Sequence, residues 1–368
     1  MRRVILSVTR IIAGISVMAE QTIPCMLMRG GTSKGPYLRL TDMPDDRDQL
    51  AELLMKIMGA GHELQIDGLG GGNSLTSKVA LVGPSRSQDA DVEYLFAQVG
   101  TTKKSVDFSP NCGNMLAGVA PFAIESGLVY AQDGKTTVRI KNLNTNKVIH
   151  STVHTPGKRV QYQGDVTISG TNSAGSPIEL TFLDVAGAKT GKLFPTGNVK
   201  DVIDGVSVTC IDAATPVMII HGDCLGKTGH ETPSELDADE IFMQRLEELR
   251  RKAGLLMGMG DVSNMVIPKP ILVSVPKEEG IICARYFVPD RCHKALAVTG
   301  SIAIVNALCI QGTVAQEVVN CALGTSEFKL EHPTGYIDLT ANWLDGQVQS
   351  VSLVRTAKPI FSGLVYIN

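Results

Sequence analysis

Apolar and polar residues along this chain follow two periods, and the order in which the periods occur repeats. The charged segments 47–58 and 238–252 carry apolar residues at a spacing near 3.6, which predicts helices with one buried stripe. Segments 113–127 and 299–311 are apolar on most sides and rich in Ala, Gly, Ile and Val, which predicts buried helices. Alternating, strand-like segments pair off in the same way: 77–82 with 268–273, 138–142 with 328–332, and 157–168 with 358–367. Matches at five places in one order predict an internal duplication. The fold class expected is α+β, with two pseudo-symmetric domains, each a strongly curved, mostly antiparallel sheet wrapped around a central apolar helix. The domains are placed at 22–190 and 191–356, with 357–368 a terminal strand returning to pack across them. The linker falls near 186–204, where Gly187, Gly191, Pro195 and Gly197 cluster.

A length of 368 residues exceeds what one core usually serves, in agreement with two domains. The chain is 43% hydrophobic and 19% charged with a formal net charge of −3, which describes an ordered globular protein. That balance, with 5% aromatic residues, argues against nucleic-acid binding, which needs a basic stripe and stacking rings. An anionic substrate needs only local cations. The eight cysteines form no CxxC pair and no zinc-ligand spacing, so no metal site is expected and a reducing cytoplasm is.

Residues 1–21 are set apart. Arg2 and Arg3 precede a moderately apolar stretch, and Val17-Met18-Ala19 loosely resembles a signal-peptidase site. Arg10 interrupts the stretch, which is too short to span a bilayer. The favoured expectation is that Met18 is the natural start. No other segment reads as transmembrane.

Four polar constellations could carry chemistry. In Ser109-Pro-Asn111-Cys112-Gly113-Asn114 the thiol sits at the start of an apolar helix, where unpaired N–H groups and the helix dipole favour a thiolate or a bound carboxylate. The competing reading is an Asn N-cap beside an inert cysteine. In Gly70-Gly71-Gly72-Asn73-Ser74-Leu75-Thr76-Ser77-Lys78 the spacing is neither that of a Walker loop nor that of a dinucleotide loop. Its glycines are expected to present N–H groups to a carboxylate, and a lysine desolvated at a cleft edge can serve as a base, but taken alone Lys78 reads rather as an exposed lysine at a strand end. In Arg29-Gly30-Gly31-Thr32-Ser33 a guanidinium precedes glycines and hydroxyls, a set suited to a carboxylate, and the competing reading is a glycine-rich hairpin turn with an exposed charge. The fourth runs from Arg285 through His293 to Thr299-Gly300-Ser301 and is the second half's answer to the Cys112 site, with Ala297 in the cysteine's place. Lys269 answers Lys78.

At MRGGTSKG, IDGLGGGNSLTSKVALV, DVEYLFAQV, SPNCGNMLAGV, NMVIPKP and CHKALAVTGS, the chain closely resembles the PrpF-type isomerases from about Ile23 to its C-terminus. That family includes 2-methylaconitate cis–trans isomerase and 4-oxalomesaconate tautomerase, and the tautomerase branch is the more similar. The resemblance leaves 1–21 outside the family. It implies a diaminopimelate-epimerase-like fold with the active site between two related domains. Diaminopimelate epimerases use one cysteine from each half, so Ala297 argues against a two-thiol racemase. The resemblance implies Lys78 and Cys112 as the acid–base pair.

The reaction expected is a cofactor-free 1,3-proton shift on a small di- or tricarboxylate, with 4-oxalomesaconate the first choice and 2-methylaconitate or aconitate the alternative. Lys78, neutral at rest, takes the proton, and Cys112 or Lys78 returns one. A carboxylate-binding accessory protein is the non-enzymatic alternative. No nucleic-acid or membrane partner is expected, and a homodimer is compatible with these readings.

Overall fold

The computed structural model describes residues 21–367, apart from 289, 320, 321, 323, 345 and 346. The expectations for residues 1–20 fall outside the described residues.

The first half runs β1 (Gln21–Gly30), β2 (Ser33–Arg39), α1 (Arg47–Met58), β3 (Lys78–Pro84), β4 (Val92–Val99), β5 (Val106–Asp107), α2 (Gly113–Leu116), α3 (Val119–Glu125), β6 (Gly134–Asn142), β7 (Lys147–Thr155) and β8 (Ile178–Leu183). The second runs β9 (Asp201–Ile203), β10 (Val206–Asp212), β11 (Pro216–His221), α4 (Pro233–Ala238), α5 (Glu240–Leu256), β12 (Lys269–Ser274), β13 (Ile282–Val288), β14 (Arg291–Cys292), α6 (Val298–Leu308), α7 (Val314–Val319), β15 (Glu327–His332), β16 (Gly335–Leu344), β17 (Gln347–Arg355) and β18 (Ala357–Ile367).

Strand pairing traces one path: β18-β1-β2-β3-β4-β6-β7-β8, then β17-β16-β15-β13-β12-β11-β10-β9. Read from either end, the path gives the same pairings. The parallel contacts are β2–β3 and β4–β6 in one half and β11–β12 and β13–β15 in the other. The halves meet at β8–β17, and β18 returns to pair along the whole of β1.

Each half of the sheet has a helix on both faces. On one face α1 buries Leu50, Leu53, Leu54, Ile57 and Met58 against β1 to β4. Asp46 caps this helix by accepting from the Asp48 and Gln49 N–H groups, and Gly59 ends it at φ 69°, a left-handed cap that needs no Cβ. In the second half α5 buries Phe242, Leu246, Leu249 and Ala253 in the equivalent place. On the other face α2, α3 and α6 share one apolar core fed by strands of both halves. All eleven residues of α6 are buried, as its uniform apolarity predicts.

Two sequence-based expectations give way. The helix expected over 113–127 is broken at Ala117-Gly118, because Pro121 has no N–H to bond the carbonyl one turn before it. Residues 157–168 form no strand beyond an isolated bridge of Val166 to Gly175. Gly157 and Lys158 turn the chain at φ 61° and 60°, and β8 occupies the place beside β7. The pairing equivalent of β18 is therefore β9.

Candidate active site

Lys78 opens β3 and Lys269 opens β12, the equivalent strand, and both side chains line one pocket of about 110 Å³ between the halves. The antiparallel register sets Gln98 of β4 opposite Lys78. Lys78 Nζ donates to Gln98 Oε1 at 2.6 Å. The Gln98 amide is held by its own donations to the carbonyls of Ser77 (2.9 Å) and Ser74 (3.2 Å), so its oxygen can only face the amine. The Phe96 ring lies 5.1 Å from the same nitrogen. Burial lowers the Lys78 pKa below the ordinary lysine value, and the nearby Cys112 offsets part of that.

Lys269 is 6% exposed, and its pKa falls to about 7. Burial is the first cause and repulsion from Lys78 the second, with Asp107 pulling the other way. Two amines in one small pocket do not both hold a full charge cheaply, so they titrate as a pair. Arg250 of α5 fixes the approach to Lys269. Its guanidinium, 1% exposed, donates to the carbonyls of Val262 (2.9 Å), Met265 (3.1 Å) and Ile267 (3.3 Å) and pairs with Glu247.

Cys112 and Ala297 occupy the same position, the residue before α2 and before α6, and neither caps with its side chain. The two helix starts nearly touch. A Cβ on Gly113 would lie 2.5 Å from Cβ of Val298, so glycine is what allows this approach. Tyr94 donates to the Cys112 carbonyl at 3.3 Å and steadies the turn.

The neutral groups of the pocket are arranged as donors. Asn111 Oδ1 accepts from Asn142 Nδ2 at 2.7 Å, and Asn114 Oδ1 accepts from the Thr32 N–H at 3.3 Å, which leaves both Nδ2 groups to donate. His293 Nδ1 accepts from the Ala295 N–H at 3.0 Å, so the proton of the neutral ring is on Nε2. Burial, then the two lysines, bring the His293 pKa down to about 4, so the ring is uncharged at neutral pH. Ser33, Gly113, Thr299 and Tyr286 also line the pocket, as does Asp107, its one carboxylate among the described residues. Two amines and three neutral donors outnumber that carboxylate.

Other expected ligands are placed elsewhere. Arg29 donates to the Gly31 carbonyl, to the Thr356 carbonyl and to Thr356 Oγ1, so its guanidinium ties β1 to the start of β18. Gly30 and Gly31 lie against Asn114, and Thr32 lines a neighbouring chamber. The glycine loop offers no free N–H groups. Those of Gly70, Gly71 and Gly72 bond the Met58 carbonyl, the Thr76 carbonyl and Gln65 Oε1. Asn73 and Ser74 are exposed outside the pocket, and only Leu75 and Lys78 of that stretch line it. Arg285 is buried, donating to the carbonyls of Glu231 and Ala284. Gly300 admits the Tyr286 ring, and Ser301 Oγ bonds back to the Val298 carbonyl inside α6. Sequence reasoning missed Gln98, Phe96, Asp107 and Arg250. Gln98 was accessible to it: a hairpin that pairs Pro84 with Val92 puts residue 98 opposite residue 78.

Among the described residues, His230, Cys283 and Glu331 bring ligand atoms within 4.8 Å of one another. Arg285 Nη1 lies 3.2 Å from the Cys283 sulfur, and Glu331 Oε2 already accepts from the Lys277 and Glu278 N–H groups. A resident guanidinium repels a metal ion, and the Glu331 bonds account for the cluster as a loop anchor.

Comparison with known proteins gives a consistent result. The family described as "PrpF protein" matches residues 20–368. YbhH of Escherichia coli (strain K12) is 50% identical over 347 residues, covering 94% of this chain and 99% of that protein. The 4-oxalomesaconate tautomerase of Pseudomonas putida (strain KT2440) is 43% identical over 352 residues, 95% of this chain and 98% of the relative. The crystal structure of a methylitaconate-delta-isomerase superposes with a TM-score of 0.80 at 34% identity, covering 95% of this chain and 96% of that one. The sheet path, with its inner and outer helices, is the diaminopimelate-epimerase-like α+β fold.

Proposed function

The chain belongs to the PrpF family of isomerases, and from that premise we propose that it shifts a proton across three carbons of a small unsaturated tricarboxylate, 4-oxalomesaconate being the first choice. The observation that carries this reading is the convergence of two depressed lysines and one thiol on a pocket where Asn111, Asn114 and His293 are turned to donate.

The steps balance without an oxidant or reductant. Lys78, as the free amine, takes a proton from the carbon next to a carbonyl or carboxylate. The electron pair moves across the three-carbon unit, and the Cys112 thiol delivers a proton at its far end. Lys78 then holds the extra proton and Cys112 lacks one, so a proton passed between them through the pocket or solvent restores the start. The charge that develops on the substrate oxygens meets the Asn111 and Asn114 amides, His293 Nε2–H and Lys269, which an incoming anion draws into its ammonium form. Acid–base help of this kind contributes about 10²–10⁴-fold.

The test is exchange of substrate carbon-bound protons with solvent deuterium, followed by NMR on purified protein. Lys78→Ala and Cys112→Ser are expected to fold, judged by circular dichroism, and to lose exchange by at least about a hundredfold. Full exchange in both variants would remove the assignment. A second reading, isomerisation of 2-methylaconitate or a methylitaconate, is favoured by relatives named for those substrates at 32% and 35% identity. Ultraviolet assays separate the readings, because the products differ in conjugation.

A further inference from the structure

A second chamber of about 470 Å³ adjoins the lysine pocket. Asn114 lines both, Thr32 and Ser33 lie on either side of one wall, and residues 295–297 form another. Arg355, the last residue of β17, lines the chamber at 8% exposure. Its Nη1 donates to the Val354 carbonyl at 2.9 Å, while its Nε has no partner. Among the described residues no carboxylate lies within 4.0 Å of the guanidinium, so Arg355 forms no ion pair. Burial lowers its pKa to about 10, so it stays charged at neutral pH. The charge of Asp338, an exposed residue of the same lining, offsets part of that fall. A buried cation without a hydrogen-bonded ion-pair partner is costly, and a carboxylate entering the chamber would supply one.

The remaining inner lining agrees. Thr32 Oγ1 is also buried without a partner. His332 is 6% exposed, and its Nδ1 accepts from the Thr334 N–H at 3.3 Å, so the neutral ring presents Nε2–H. The acidic residues of the lining, Glu179 and Asp338, are exposed residues of β8 and β16.

We propose that this chamber is a carboxylate-binding site, with Arg355 as its principal ligand supported by Thr32 Oγ1 and the His332 ring. The carboxylate comes either from the far arm of a substrate seated between Lys78 and Cys112 or from a second free molecule. The proposal does not depend on the proton-transfer roles of Lys78 and Cys112, so a probe that cannot isomerise is appropriate.

The experiment is calorimetric titration of the full chain with tricarballylate, a saturated tricarboxylate, and with malonate. Wild type is compared with Arg355→Gln and Thr32→Val. Neutralising Arg355 removes a buried charge that has no ion-pair partner among the described residues, and Thr32→Val keeps the side chain's shape, so at least one variant stays folded. At least tenfold weaker binding in Arg355→Gln with one ligand per chain supports the substrate-arm source. A fall from two ligands per chain to one supports the second-molecule source. Should Arg355→Gln not fold, a severalfold loss in Thr32→Val is the supporting result. Absence of binding of either probe to wild type, or binding that both folded variants leave unchanged, overturns the proposal.

Discussion

Replacing Lys269 by methionine tests the electrostatics of the pocket directly. In the unfolded chain this amine takes up a proton near pH 10.5, but in the pocket it does so only at about 7. Between those values the unfolded chain binds more protons than the native one, so stability contributed here grows as pH rises through the window. It is lost as pH falls towards 7, where the ammonium is disfavoured by roughly 4 kcal/mol. Methionine has similar length, no charge and no desolvation cost. Using about 2.1 cal/mol/K per residue, Lys269→Met is expected to raise Tm by about 5 °C at pH 7. The gain shrinks towards zero above about pH 10, where both residues are neutral in either state. Differential scanning fluorimetry from pH 6 to 10 on both proteins measures this. A Tm difference that does not change with pH, or a loss of stability at pH 6 to 7, would refute the reasoning. The same variant relieves repulsion on Lys78, so the acidic limb of kcat/KM is expected to move to higher pH, since the base must be neutral to act.

Further outcomes follow from the packing. Gly113→Ala forces a Cβ to within 2.5 Å of Val298 Cβ, so a loss of about 1–3 kcal/mol in urea unfolding and reduced turnover are expected, with partial recovery in the Gly113→Ala, Val298→Gly double variant, which removes the opposing Cβ, and little in Gly113→Ala, Val298→Ala, which keeps it. Arg250→Met strands the carbonyls of Val262, Met265 and Ile267 and the partner Glu247. A loss of about 3 kcal/mol and a raised KM are expected, measured by urea unfolding and steady-state kinetics.

The duplication was legible because patterns of period 2 and 3.6 are properties of short segments, and the matched segments kept their order. The positions of Lys78 and Cys112, at the start of a strand and of a helix, were legible for a similar reason, but their pairing was implied only by the resemblance to the PrpF-type isomerases. What escaped was set by partners far away in the chain. The glycines of 70–72 look like free donors until the Met58 carbonyl and Gln65 are seen to take their N–H groups. Arg29 looks like a ligand clamp until Thr356, 327 residues away, is seen to fill it. Arg355 gave no local signal, since it ends an ordinary alternating strand. Its meaning lies in the lack of an ion-pair partner among the described residues, and a linear string does not display an absence in space.

The return of β18 to β1 has a consequence for synthesis. The edge of β1 from Gln21 to Gly30 is closed by residues 357–367, which are synthesised after every other described element. Until β18 has been made, β1 therefore exposes a row of unsatisfied amides and carbonyls, and the first half cannot seal this edge by itself. Deletion of β18 would thus injure a strand made more than three hundred residues earlier.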